Sequence, residues 1–473
     1  MPSISSPGVG SGLDVKSIVS QLVALERRPI DKLEREKSTT EAKLSSFGLL
    51  QSYTNNLRDA AKKLALPGTW VASTATSSND AAVAASTTGT TSAAGYSINV
   101  SQLARTQSLA SSAFASSSTT FGAGTLTLQL GQWTAGAPPS FAAKSGSSPQ
   151  PITVDAGDSL DTIKNKINAA GAGVSASLVN DGTDTRLVVR SQSTGEVNAV
   201  KITSTGDASL NDLAYSPDEA ATGTMTETLS ARNANVTLNG LAVSSASNTL
   251  SGAIQGVTLT LKQVTASPVE VTVGPDTAAM RKAVDDFTKA YNDLNTYITD
   301  QTKYDPEKKV AGKLQGDAAT RTLQGQLRSL VQATSGASGT FARLSAAGIE
   351  MQRNGGLTVN STRFNAALSD PTTLATAFTA DAAGDANDGF GVRFASLTTT
   401  LTDADGLLQR RADGIRAQIK RQESEMSALE SRVTRTEERL LKQYNALDSN
   451  LGRLNGLGGY VSQQVAAWNN SNG

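Results

Sequence analysis

The chain has no cysteine and no histidine. The first absence excludes disulfides, thiol nucleophiles and thiolate metal ligands, and leaves the redox compartment unread. The second removes the usual general base near neutral pH and the commonest metal ligand. A hydrolase would then need a Ser–Lys dyad or a paired set of carboxylates. No S-x-x-K occurs, and nothing singles out one pair among the 42 Asp and Glu residues. No enzymatic role, no metal and no cofactor is expected. Aromatic residues make up only 4%, and no run approaches the ~18 apolar residues of a membrane span. Neither charge sign is in excess, with 42 Lys and Arg against 42 Asp and Glu. That balance speaks against nucleic acid or an anionic membrane as partner, since both favour a basic excess. The opening MPSISSPGVGSGLD lacks the basic and apolar regions of a secretory signal. Taken alone this reads as cytoplasmic, and a protein exported by a dedicated machine would look the same.

What is abundant is Ser, Thr, Ala and Gly, a composition closer to extended surface proteins than to compact enzymes. The 473 residues correspond to about three domains. Asp14 is placed to cap a helix with Val15, Ile18, Val19, Leu22 and Leu25 on one face. Pro29 should break or kink that helix. A second helical run carries Ile30, Leu33, Leu44, Phe47, Leu50, Leu57 and Leu64 and stops near Pro67-Gly68. From about Trp70 to Val273 the period changes to two, as in Tyr96–Val100, Thr125–Leu128 and Val269–Val273, which read as half-exposed strands. One helix, Ser159–Ala170, interrupts them. A hairpin follows, Val174–Val179 and Leu187–Val189 about an Asn180-Asp181-Gly182 turn. Pro138 to Pro151 reads as a loop. Helical spacing returns at Thr277, again at Ala318–Val331, and at Leu397–Leu408. In the last arm Ile415, Ile419, Met426, Leu429, Val433 and Leu440 fit one heptad register. Tyr444, Leu447, Leu451 and Leu454 continue it after a shift of four. Gln422, Thr436 and Gln443 at the intervening positions are polar, as are Lys37, Thr40 and Thr54 in the first arm. The arms are therefore expected to order only when neighbours add surface.

Three sharper readings give way to plainer ones. Gly8, Gly10 and Gly12 follow no strand and fit no phosphate-loop pattern, so they read as a leader. Asp403-Ala404-Asp405-Gly406 and Asp381, Asp385 and Asp388 do not match a calcium loop and read as turns or caps. Asn235-Val236-Thr237 matches a glycosylation sequon by pattern only.

Several segments resemble the flagellar filament cap family, hook-associated protein 2. They are Gly8–Asp14 (GVGSGLD), Lys43–Leu50 (KLSSFGLL), Asn235–Gly240 with Gly256–Leu259, and near the end Gln443–Asp448 and Gly459–Gln464. The Leu160–Val189 helix and hairpin resembles a small unit shared by flagellin, hook and cap proteins. One departure is Gly458-Gly459, where the family often has two serines, a change expected to loosen the last helix. The resemblance implies an α+β multidomain chain. Terminal heptad-like arms form a leg or stalk, with a helical body and inserted β-rich head domains. The expected divisions are an N-terminal arm 1–42, body 43–70, head 71–120, outer head 121–232, head 233–274, body 275–410 and a C-terminal coiled-coil arm 411–473. It implies a homo-oligomeric ring of roughly four to six copies at the filament tip. It also implies contact with flagellin and with hook–filament junction proteins, an export chaperone on the C-terminal arm, and type III export without a cleaved signal. The leg positions expected to meet other subunits or flagellin are Leu22, Leu33, Leu44, Phe47, Ile419, Met426, Leu429, Val433, Leu440, Tyr444, Leu447 and Leu454. The rival readings are a junction protein, a flagellin, or a secreted adhesin using the β head on host glycans.

Overall fold

The structure is a computed structural model that describes residues 14–218, 223–307, 309–382 and 386–471. Gly8–Gly12 and Asp385, singled out above, lie outside the described residues. The chain divides into two compact units, Met1–Thr69 with Ala278–Gly473, and Trp70–Thr277. The nine helices among the described residues are α1 (Val15–Ala65), α2 (Pro67–Val71), α3 (Leu160–Ala169), α4 (Thr277–Thr302), α5 (Ala318–Gln332), α6 (Ser361–Ala367), α7 (Pro371–Thr379), α8 (Phe390–Thr402) and α9 (Leu407–Ser471).

The first unit is helical, and its long elements have local causes. The Asp14 carboxylate accepts the Ser17 N–H at 3.0 Å, which satisfies one of the amides that a helix start leaves open. Contrary to expectation α1 runs unbroken through Pro29. Proline removes one helical hydrogen bond, to the carbonyl of Leu25, and both residues are exposed, so water can take the freed oxygen. Packing of the residues on either side outweighs the local cost. Where α1 passes residue 46 it enters a dense core. Phe47, Leu50, Leu57, Phe287, Tyr291, Leu294, Phe364, Phe378, Phe390 and Phe394 are each less than 2% exposed. Rings of Phe287 and Phe394 meet edge to face at 5.0 Å. Each such side chain contributes about 1.5–3 kcal/mol on burial. Asp317 ties three helices at one point. It caps α5 through the Thr320 N–H at 3.2 Å, accepts Arg411 Nε of α9 at 2.9 Å, and lies 4.0 Å from Lys43 Nζ of α1. The expected helix Leu397–Leu408 is in fact interrupted. α8 ends at Thr402 and α9 begins at Leu407, with the Gly406 N–H bonded to the Asp403 carbonyl at 2.7 Å. A Cβ on Gly406 would sit 2.6 Å from the Leu401 oxygen, so glycine is what lets this turn close. Asp388 serves a loop, accepting the Ala382 N–H at 2.8 Å.

The second unit holds β1 (Ser73–Ser77), β2 (Val83–Thr87), β3 (Ala94–Gln102), β4 (Ser108–Ala110), β5 (Gly124–Thr134), β6 (Ser140–Ala143), β7 (Gln150–Val154), β8 (Val174–Asn180), β9 (Thr185–Ser191), β10 (Ala199–Gly206), β11 (Thr226–Leu229), β12 (Ala234–Leu238), β13 (Leu241–Ser245), β14 (Thr249–Ile254), β15 (Val257–Leu261) and β16 (Val269–Pro275). They build two modules. The inner one packs the sheet β1-β16-β3-β12-β13 with the sheet β14-β15-β2. Period-two alternation buries Val269, Val271 and Val273 beside Ile98, Val100 and Val236. The outer one joins β10-β5-β6, with β7 also on β5, to β11-β4-β9-β8. Leu160, Ile163 and Ile167 of α3 fill its core with Leu126, Leu187 and Val200. The chain enters the outer module at β4, ahead of residue 121, because Leu109 already lies in that core. The expected loop Pro138–Pro151 contains β6 and the start of β7. β6 pairs with the far end of β5, and the Trp133 and Phe141 rings meet at 4.7 Å, a cross-strand contact worth more than the local turn signals.

Candidate interaction surface: the terminal arms

Lys37 meets Glu423 at 2.9 Å and Gln51 meets Gln409 at 3.1 Å, so α1 and α9 run antiparallel. Near the start of α1, steps of four and seven place Val15, Val19, Val23 and Ile30 on one face. All four are buried against Val433, with Met426, Leu429, Leu440, Leu441 and Tyr444 around them. Of the expected contact positions, Met426, Leu429, Val433, Leu440 and Tyr444 are thus brought together. Leu22, Leu33, Leu44 and Ile419 are partly buried at the margins. Phe47 is fully buried in the body, and its role there is packing. Leu25, assigned to the buried face, is half exposed. The true face was missed at Val23, and its signal was the unbroken spacing from Val15 to Ile30, which the proline masked.

Between this seam and the body the arm turns polar. Thr40 there, and Thr54 further on inside the body, donate back to the carbonyls of Glu36 at 2.8 Å and Leu50 at 2.7 Å, so two of the polar gaps satisfy themselves. The third is bridged. Hydrogen bonding to Glu423 raises the Lys37 ammonium above its ordinary value, with Glu41 adding to the effect. A cavity of about 450 Å³ lined by Lys32, Arg35, Lys43 and Gln422 opens here. Gln422 is nine-tenths buried, and its Oε1 has no partner among the described residues.

Beyond Tyr444 the partner helix runs out, since α1 begins at Val15, while α9 continues to Ser471. Gly458 and Gly459 do not end it. Leu447 is 45% exposed and Leu454 62%, and Leu457, Tyr460, Val461, Val465 and Trp468 are exposed with them. Leu454, Leu457, Val461 and Trp468 follow steps of three, four and seven, the spacing of a coiled-coil seam. Arg453 is the single charged residue from 449 to 471. The geometry is therefore a covered seam and, on the same helix, an exposed apolar face of the kind that soluble proteins seldom leave bare without a use.

Comparison with known proteins agrees with this architecture. The sequence profile described as the N-terminus of flagellar hook-associated protein 2 matches residues 11–107. Its C-terminus profile matches residues 231–456. The flagellar hook-associated protein 2 of Escherichia coli K12 is 31% identical over 488 residues, covering 100% of both chains. The chain belongs to the flagellar hook-associated protein 2 family. The A-type member from Pseudomonas aeruginosa is 30% identical over 489 residues, covering 97% of each chain. The solved D1-D2-D3 domains of the flagellar cap protein from Escherichia coli superpose with a TM-score of 0.61 at 30% identity. They cover 78% of this chain and 99% of that one. The flagellin hook IN motif matches residues 140–193, which holds α3 and the β8–β9 hairpin of the outer module. Among the described residues no helix is long and apolar enough to cross a membrane.

Proposed function

We propose that this chain caps the distal end of the bacterial flagellar filament, where it retains exported flagellin and promotes its folding and insertion. The observation that carries the reading is the open apolar face of α9 beyond Tyr444, on a chain that aligns over its whole length with hook-associated protein 2. Gly456, Gly458 and Gly459 in that stretch each weaken a helix by ~1 kcal/mol relative to alanine. The overhang therefore gains most from partners that cover it, and the arms take their final order on assembly. Those partners are further copies of the chain in a ring, flagellin and the junction proteins beneath, with a chaperone holding the same arm before export. Leu447 and Leu454 are the contact residues on this arm, while Val433 and Leu440 hold the arm to α1. The role is mechanical, so affinity for the filament end is real but not locking. Export proceeds through the flagellar type III route without cleavage, and the protein collected from the medium carries its N-terminal segment intact by mass spectrometry. The deciding experiment is a clean deletion. Flagellin is then expected in the culture medium with filaments short or missing, and purified protein added from outside restores growth. Filaments of ordinary length in the deletion strain would exclude the cap role.

A further inference from the structure

The outer module hangs on the inner one by two strand crossings, residues 103–107 and 230–233. They touch through a single pair of backbone bonds, Arg105 N–H to the Arg232 carbonyl at 2.9 Å and the reverse at 3.2 Å. Joined, among the described residues, only by that pair and by one long bond from Arg105 Nε to the Ser230 carbonyl at 3.4 Å, two such strands make a natural pivot. The structure blocks that pivot with the turn Thr194–Glu196, which lies between β9 and β10 of the outer module and reaches across to the inner one.

The turn is fastened on both sides. Toward the outer module, Gln132 Nε2 donates to Glu196 Oε2 at 3.1 Å. Asn198 Nδ2 donates to the Thr194 carbonyl at 2.6 Å, and Lys144 Nζ donates to Asn198 Oδ1 at 2.7 Å. Toward the inner module, Thr194 Oγ1 donates to the Ala246 carbonyl at 2.7 Å. Toward the crossings themselves, the Glu196 N–H donates to Asn233 Oδ1 at 3.0 Å. The Gly195 N–H donates to the Arg105 carbonyl at 3.2 Å. Gly195 sits at φ +101, and a Cβ there would lie 2.4 Å from the Ala246 Cβ and 2.7 Å from its oxygen. Only glycine has both the backbone freedom and the clearance for this approach.

We propose that the Thr194–Glu196 turn is a clasp that locks the two β modules into one orientation, so that the outer module is carried as a rigid extension of the inner one. The two hydrophobic cores are separate sets of residues, one in each module, and the clasp links them through hydrogen bonds rather than through shared core packing. Any surface the outer module offers is then held at a set place relative to the inner sheet, and load on one module passes to the other.

The absence of native cysteine makes the test direct. Ser86→Cys on β2 and Ser177→Cys on β8 replace exposed strand residues and take spin labels in the full-length chain. Pulsed electron resonance should give one narrow distance peak. Adding Gly195→Val should widen it about two-fold or more, as the modules swing on the crossings. If that variant loses strand signal in circular dichroism, the pair Thr194→Val and Asn233→Ala takes its place, since it removes the bond to Ala246 of the inner module and the bond to Asn233 of the crossing and adds no bulk. A broad peak in the unmodified clasp, or a peak as narrow in the folded clasp variant as without it, overturns the proposal.

Discussion

Residues 426–444 and 447–468 lie on one helix and carry the same kinds of apolar side chain at coiled-coil spacing. Val433 is buried against Val15, Val19, Val23 and Ile30, whereas Leu454, Val461 and Trp468 are exposed. Val433 lies opposite the first turns of α1, which begins at Val15, whereas Leu454, Val461 and Trp468 lie beyond that start. Periodicity tells which face of a helix seeks cover, and the extent of the neighbour tells whether the same chain supplies it. The stretch left open is where the proposed function places the contacts with other chains.

The contrast can be broken or sharpened by substitution, read as the urea midpoint of the purified chain. Phe394→Ala, in the body where three rings converge, should cost about 3–5 kcal/mol. Asp317→Ala should follow at about 1–3 kcal/mol, because it removes a helix cap and buried hydrogen bonds; the partial exposure of Arg411 limits the ionic share. Val433→Ala, in the covered seam, should cost about 1–2 kcal/mol, seen as earlier cleavage of the arms by protease with the body transition kept. Lys37 gives the smallest effect. Its ammonium is raised above the ordinary 10.5 by Glu423. The stabilisation it adds is therefore fully present below that pH and is lost only as pH rises through the raised value. Protease resistance of the arms should fall in that alkaline range and lose its pH dependence there in Lys37→Ala. A Val433→Ala chain with arms as resistant as the parent's would dissolve the distinction between covered and open stretches.

Much of the architecture was legible in the residues because the period changes sharply at both borders of the β region. The Asp14 cap, α3 with its hairpin and the valine alternation of β16 all follow from local rules. What failed did so where distant packing overrides local preference. Pro29 lies within a helix held by its flanking contacts, and β6 forms because Trp133 offers Phe141 a partner across the strand. The arm surface was half legible. Val433, Leu440, Leu447 and Leu454 look alike in sequence, and only the start of α1 separates the covered pair from the exposed pair.

The most direct test places Leu454→Asp and Val461→Asp together in cells lacking their own copy of this chain. Both side chains are exposed, so the midpoint of the purified monomer should not move and the variant should still appear in the medium. Electron micrographs should nonetheless show short or absent filaments, with flagellin free in the supernatant. Filaments of normal length bearing this exported variant would contradict the assignment of assembly to the open face of α9.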